Sequence, residues 1–282
     1  MLRSLLLATL FAGCGSHPHA GLAAPAMRSV PGAELAIGPP LVTPGEHMTY
    51  RLELRGIELA SYELGASDVV DLAGKKAIVV SAHAKTVGLG ALVHVDDYFS
   101  SWIDVTTGRP LRWASDEYAV DGDHKEKSDC DFTARTADAL PMTFHLDDRP
   151  PNPEPQRTSL RDAWDYNAFL VALRSWEGPP GTRITAEVLR SRYMWHVDMT
   201  IHGKETLQTE LGELPALRLD GHTYKLLRDG RRDPDSDPRD FSLWISDDDG
   251  RVPLQIVAKT DYGDIKMRIV DYQPGTGQPL RN

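Results

Sequence analysis

The sequence predicts a mainly β fold: an antiparallel curved sheet or half-barrel in two related halves, with one amphipathic helix covering it. Three observations point there. Apolar and polar residues alternate at period two from His47 onward, turn residues recur roughly every 8 to 12 residues, and one central segment switches to helical spacing.

The strand reading begins with HMTYRLELRGIELASYEL, where Met48, Tyr50, Leu52 and Leu54 alternate before the pattern resumes at Ile57 and Leu59. Period two places such side chains on one face of a strand, toward a core. KKAIVVSAHAKT and ALVHVDDYFSSWIDV continue with β-branched and aromatic runs. The second half repeats the character in RITAEVLRS, YMWHVDMTIHG, KETLQTELGELPALRLDGHTY, DFSLWISDDDGRVPLQIVAKT and GDIKMRIVDY. Turn spacing of this kind fits a sandwich, a barrel or a large curved sheet.

The exception is TSLRDAWDYNAFLVALRSWEG, where Leu160, Trp164, Phe169, Leu173 and Trp176 fall at helical intervals. Ser159 with Asp162 fits a capping box, and Gly178-Pro179-Pro180 would stop the helix, so it is expected over about 159–176. DDRPPNPEPQR before it is too rich in Pro for a strand. The body, 44–275, therefore reads as one domain. Its β halves, 44–146 and 181–275, are joined by linker and helix, and 276–282 is a tail. The helix's apolar stripe is expected to lie on the open face of the sheet.

An internal echo supports the two halves. FSSWIDVTTGRPL (Phe99 to Leu111) matches FSLWISDDDGRVPL (Phe241 to Leu254): Phe99/Phe241, Ser100/Ser242, Trp102/Trp244, Ile103/Ile245, Gly108/Gly250 and Arg109/Arg251 align, with Val252 inserted before the shared Pro-Leu. Each copy reads as a β-hairpin with a tight turn closed by Gly.

Composition and the N-terminus bound the function. Of 282 residues, 31 Lys and Arg stand against 41 Asp and Glu, a net charge of −10. This balance argues against binding nucleic-acid phosphate. The long apolar run, Leu5 to Ala12, is far short of the roughly 20 residues a membrane-spanning helix needs. Arg3 and the run LLLATLFA read instead as a secretory signal, 1–13, ending in LFAGC. Those residues resemble a bacterial lipobox, with Cys14 as the lipid-attachment residue and a flexible tether over 14–43. Gly15, where Asp would signal inner-membrane retention, favours the outer membrane facing the periplasm. Cleavage near LAAP, Leu22 to Pro25, would give a secreted or periplasmic protein instead. With Cys14 acylated, Cys130 has no disulfide partner, and Asp129 and Asp131 beside it would raise its thiol pKa.

PGEHMTYRLELRGIELASYEL, YFSSWIDVTTGRPLRW, DAWDYNAFLVALR and LWISDDDGRVPLQIVAKTDYGDI, in that order, resemble the bacterial envelope family DUF3108. The resemblance covers about Pro44 to Tyr272. Asn167-Ala168 departs from the small Ser-Ala pair of that family, and Asp233 to Asp240 reads as an added loop. The architecture it implies is similar to the lipoprotein carriers LolA and LolB, which bind acyl chains in an apolar concavity. This is an analogy of fold.

Several constellations are candidates for chemistry. Asp233, Asp235 and Asp237 have the rhythm of a Ca²⁺ loop, but no Gly makes its turn and Arg231, Arg232 and Arg239 would neutralise it. Asp247-Asp248-Asp249-Gly250 reads as turn chemistry. His94 with Asp96, and His196 with Asp198, each share one face of a strand and could serve a metal-dependent or hydrolytic periplasmic enzyme, given a third group. G-x-S-x-G, H-E-x-x-H, P-loop and G-x-G-x-x-G patterns do not occur. The leading expectation is a non-enzymatic envelope protein without a cofactor, held to the bacterial membrane by its N-terminal lipid. It would bind a lipid or other amphiphile, or support an envelope assembly with a protein partner. In the ligand-binding version Trp164, Phe169 and Leu173 form a lid over a concave face that includes Trp102 and Trp244. A module that pairs strands with a partner is the remaining alternative.

Overall fold

The computed structural model describes residue 35 and residues 38–87, 95–118, 124–160 and 163–281. The signal segment, Cys14, most of the tether, His94 and Asp162 lie outside the described residues. In chain order the strands are β1 (His47–Leu54), β2 (Ile57–Leu72), β3 (Lys75–Thr86), β4 (Asp96–Asp104), β5 (Pro110–Tyr118), β6 (Lys125–Asp131), β7 (Ala139–Leu140), β8 (Met142–Leu146), β9 (Asn152–Pro153), β10 (Gln156–Arg157) and β11 (Ala163–Asp165). Helix α1 (Tyr166–Arg174) follows, then β12 (Arg183–Arg190), β13 (Tyr193–Thr209), β14 (Gly212–Lys225), β15 (Arg239–Ser246), β16 (Pro253–Thr260) and β17 (Gly263–Gln273).

Fifteen strands form one sheet in the order β11-β12-β13-β14-β15-β16-β17-β1-β2-β3-β4-β5-β6-β8-β9. Its ladders are antiparallel apart from the parallel pair β11–β12. The first and last long strands, β1 and β17, pair along their length and join the two halves. The Pro-rich linker does supply short strands, β9 on the sheet edge and β10 paired with β7. They are two residues each, where Pro costs little ladder.

The sheet curls until its two ends meet through side chains rather than a ladder, so it is a curved open sheet and not a closed barrel. Trp113 Nε1 donates to the Ser191 carbonyl at 3.3 Å, Ser191 Oγ donates to Glu117 at 2.5 Å, and the Arg192 guanidinium lies 4.1 Å over the Phe144 ring. Of the expected tether, the described residues Leu35 and 38–43 pack on this body. Leu35 and Val42 are buried in the core, and the Gly38 N–H bonds the Thr107 carbonyl at 3.1 Å. The tail packs there too, with the Gly277 N–H on the Pro44 carbonyl.

The two halves repeat each other strand for strand, β1–β6 against β12–β17. Both echo hairpins carry a β-bulge at the same place. Trp102 pairs with Arg112 and Ile103 with Pro110, and Trp244 pairs with Gln255 and Ile245 with Pro253, leaving Leu111 and Leu254 as the extra residues. A bulge turns the extra residue out of the alternation; here both leucines are buried. The turns differ as the inserted Val252 requires: the positive φ falls on Gly108 in the first and on Arg251 in the second. A Cβ on Gly108 would sit 2.8 Å from the Gly38 carbonyl oxygen, so that turn needs glycine for space as well as φ.

Helix α1 departs from the sequence expectation in two ways. It starts at Tyr166 rather than Ser159, with Asp165 as N-cap accepting from the Ala168 N–H at 2.8 Å. Ser159 is taken by Glu187, which accepts from both its N–H and its hydroxyl. The helix also does not cover the sheet with one stripe. Eight of its nine residues are buried, Asn167 and Arg174 included. It packs against β3, β4, β11 and β12, inside the curl, as part of one core drawn from both halves.

Candidate functional site

The interior is built around α1, and both ends of the helix are held by the echo hairpins. At the N-terminal end Ser101 of β4 donates to Asp165 Oδ1 at 2.5 Å, and the Arg109 guanidinium stacks 4.2 Å over the Trp164 ring. Asn167 Nδ2 donates to the Val80 carbonyl at 3.1 Å. At the C-terminal end Arg251 donates from Nε to the Arg174 carbonyl at 3.1 Å and from Nη2 to the Trp176 carbonyl at 2.9 Å. These are carbonyls the helix itself leaves open, at the end where a cation is favoured. Thus Arg109 and Arg251, equivalent in the repeat, serve opposite ends of one helix.

A buried ion pair completes the C-terminal clamp. Arg174 Nη1 and Nη2 each donate to Glu46 at 2.8 Å, Tyr272 OH donates to Glu46 at 3.0 Å, and Arg174 also reaches the Gly250 carbonyl at 2.6 Å. Asp248 organises the turn beside it, accepting from the Gly250 and Arg251 N–H groups and from Ser246 Oγ. Tyr50 OH donates to the Pro253 carbonyl at 2.9 Å. Glu46, Ser101 and Arg251 thus bond the helix or its cap residue Asp165, while Tyr50 and Asp248 bond the second hairpin beside it.

Two carboxyls on the inner side are held far from their ordinary range. Burial pushes Asp165 up to about 7, partly offset by its bonds to Ala168 and Ser101; its Oδ2 has no hydrogen-bond partner. Burial, reinforced by neighbouring Glu117, pushes Asp97 up to about 7 as well. Glu117 is itself raised by burial, and Arg190 opposes the shift at both. Cys130 is fully buried, and its thiol is raised chiefly by that burial, then by Asp165 and by the flanking Asp129 and Asp131.

The residues expected to line a ligand cavity are not brought together. Trp164, Phe169 and Leu173 are buried in the core. Trp102 and Trp244 face away from the helix, because Phe99, Ser101 and Ile103, and likewise Phe241, Leu243 and Ile245, take the inward positions of their strands. A lid of α1 over those two rings is thus ruled out by strand alternation. Asp233 bonds the Asp235 N–H and Lys225 as part of a turn, and no group of three or more His, Cys, Asp or Glu able to hold a metal occurs among the described residues. Asp96 pairs with His83 at 2.7 Å and Asp198 with His196 at 3.3 Å and Thr185 at 2.6 Å, in different halves of the sheet.

Among the described residues, two grooves lie on the outer face. A groove of about 790 Å³ crosses the second half, lined by Thr185, Asp198, Asp220, His222, Asp240 and Lys259 among others. A smaller one, about 320 Å³, crosses the first half between β4, β5 and β6, lined by Tyr98, Ser100, Asp116, Lys127, Asp129 and His145 among others. Pairing registers relate the two grooves: Ser100 and Ala114 stand where Ser242 and Val257 stand. The ladder pair Asp116–Lys127 of one is reversed to Lys259–Asp264 in the other.

Fold and site together define a barrel-like β protein that encloses its own helix and offers polar grooves outside. The chain belongs to the DUF3108 family, described as proteins of unknown function, whose match spans residues 48–270. No curated protein matches the sequence. Among solved structures, the chain is similar to a β-barrel-like protein of the domain of unknown function DUF1849 from Brucella abortus. The identity is 6%, the alignment covers 83% of this chain and 99% of that one, and the TM-score is 0.52. That likeness is one of fold. A protein with a YmcC-like fold from Bacteroides fragilis aligns over 84% of this chain and 99% of its own at 7% identity, with a TM-score of 0.39.

Proposed function

We propose that this chain is a lipid-anchored bacterial envelope protein, non-enzymatic, that supports an envelope assembly through its outer faces rather than carrying an acyl chain inside. The observation that carries the reading is the burial of α1. A helix enclosed on nearly every side, its ends clamped by Asp165–Ser101 and by Glu46–Arg174–Arg251, occupies the concavity that a carrier of the LolA type leaves for lipid. Displacing it would strand a buried carboxylate and a buried guanidinium, each costly without its partner. The anchor rests on the lipobox-like run Leu10 to Cys14, and Gly15 after it supports a position on the periplasmic side of the outer membrane. A hydrolytic or metal-dependent activity has less support, since Asp96 and Asp198 are each closed within a local pair.

Native mass spectrometry tests the proposal. A soluble body must begin ahead of Leu35, because Leu35 and Val42 are in the core. The expected result is the same mass under native and denaturing conditions. An added mass that matches a lipid and is lost on denaturation would overturn the scaffold reading and restore the carrier.

A further inference from the structure

The outer face of the first half carries two aromatic rings on one strand, one of them largely exposed. On β4, Tyr98, Ser100 and Trp102 alternate on the side away from the core. Tyr98 is 49% exposed although it sits within a strand of the sheet. Its ring is held flat by His83, 4.2 Å away with an interplanar angle of 6°, and His83 is in turn fixed by Asp96. Trp102, half-buried, has the Arg112 guanidinium 5.0 Å from its ring centre. Four residues of strand separate the two rings by about 13 Å; the groove of about 320 Å³ is lined by Tyr98 and Ser100, and Trp102 lies past its lining on the same strand face.

The groove floor and the strand surface between it and Trp102 are polar, and their Arg and Lys side chains are paired with carboxylates. Arg112 Nε donates to Asp129 at 2.8 Å and Lys127 pairs with Asp116 at 2.8 Å. Ser100 and Ser81 hydroxyls meet at 3.3 Å. Charges already paired in this way exert little pull on an ion, yet they present donors and acceptors in fixed directions. Flanking aromatic rings supply apolar surface with one polar edge. A ligand suited to both needs many hydroxyls, apolar ring faces, no net charge and enough length to span the two rings.

We infer that the outer face of β4–β6, with Tyr98 and Trp102 as platforms and the Asp116–Lys127 and Arg112–Asp129 pairs between strands, binds an uncharged linear glycan. The larger groove of the second half lacks this combination. Asp240 stands where Tyr98 would be, and Trp244 is 9% exposed, its indole N–H donating to Glu205. This site is independent of whether the interior holds lipid, so the two readings fail separately.

The test is saturation-transfer NMR and tryptophan fluorescence titration of the full chain in detergent with chitotetraose, cellotetraose and maltotetraose. At least one should bind, with transfer to ring protons of the sugar. Tyr98→Ala and Trp102→Ala should each weaken that affinity about tenfold or more, while Trp244→Phe leaves it unchanged. Both outward variants should keep the circular dichroism spectrum of the parent, and Tyr98→Phe should retain most of the binding. Absence of transfer to all three sugars, or binding indifferent to Tyr98 and Trp102, overturns the inference.

Discussion

The two halves share a ladder, a bulge and a tryptophan, yet they treat the face around that tryptophan in opposite ways. In the second half β13 and β14 run on past the point where the ladder to β15 ends, at Ala216. This arm turns back at a bulge beside Gly203, whose φ of +143° only glycine adopts without strain. Glu205 then receives the Trp244 N–H, and Glu210, at the tip, pairs with Arg51 of β1. Since β15, β16 and β17 lie between β14 and β1, the arm lies across their outer face like a strap. The corresponding arm of the first half, the end of β2 and start of β3, keeps its tip bonds to itself. Asp71 accepts from the Gly74 N–H and pairs with Lys76, and Val69 is 41% exposed. One repeated unit thus gives a tryptophan covered by its arm in the second half and one left uncovered by its arm in the first. The difference rests on which side chains the arm carries, not on the ladder beneath.

The same contrast governs the helix ends, and the largest expected effects are there. Arg174→Ala leaves Glu46 buried beside Tyr272 with its charge uncompensated, and should cost about 3–5 kcal/mol in urea denaturation. The paired Glu46→Met, Arg174→Met variant should recover most of that loss, because the desolvation cost of both charges disappears with them. A loss below about 1 kcal/mol in the single variant would mean the C-terminal clamp is not what holds the helix.

At the N-terminal end the effect depends on pH. Asp165 and Asp97 both sit near 7 in the folded state, against about 3.9 in an unfolded chain. The folded protein therefore keeps protons that the unfolded chain releases, and stability falls as pH rises from about 4 through 7. Asp165→Asn keeps the cap and removes one of the two groups, so the slope over that window should shrink by up to about 1.4 kcal/mol per pH unit without vanishing. Asp165→Ala also loses the cap and the Ser101 bond, which should cost about 1–2 kcal/mol at pH 4. Parallel pH profiles of wild type and Asp165→Asn would refute this account.

Much of the architecture was legible from local pattern. Period-two alternation gave the strands, and the FSSWID and FSLWIS echo marked the repeat that the bulges at Leu111 and Leu254 make explicit. Alternation would also have placed Trp102 and Trp244 outside, had Phe99, Ile103, Phe241 and Ile245 been taken as the inward set. The helix start was lost to long-range competition. Ser159 is a good cap locally, but Glu187, 28 residues on, binds it first, and Asp165 caps in its place. Nothing local could reveal that α1 is enclosed. Its buried polar residues, Asn167 and Arg174, find their partners Val80 and Glu46 only through the curl of the sheet.

The smallest effect belongs to the strap, and it isolates the comparison between the faces. Glu205→Ala removes one charge-assisted bond at a partly exposed site, which should cost about 1 kcal/mol or less. Its local consequence should be larger than its stability cost, since Trp244 would lose its cover and come to resemble Trp102. Acrylamide quenching of tryptophan fluorescence should therefore rise in Glu205→Ala, and the rise should be absent when Trp244→Phe is made alongside it. Lys204–Asp247 and Glu210–Arg51 remain as the strap's other attachments, so the arm should loosen over Trp244 without detaching at its tip. If quenching is unchanged, the strap holds through its backbone and tip alone, and the cover over Trp244 owes nothing to Glu205. In that case Trp102 of the first half would need only a differently curved arm, not a different set of side chains, to be covered in the same way.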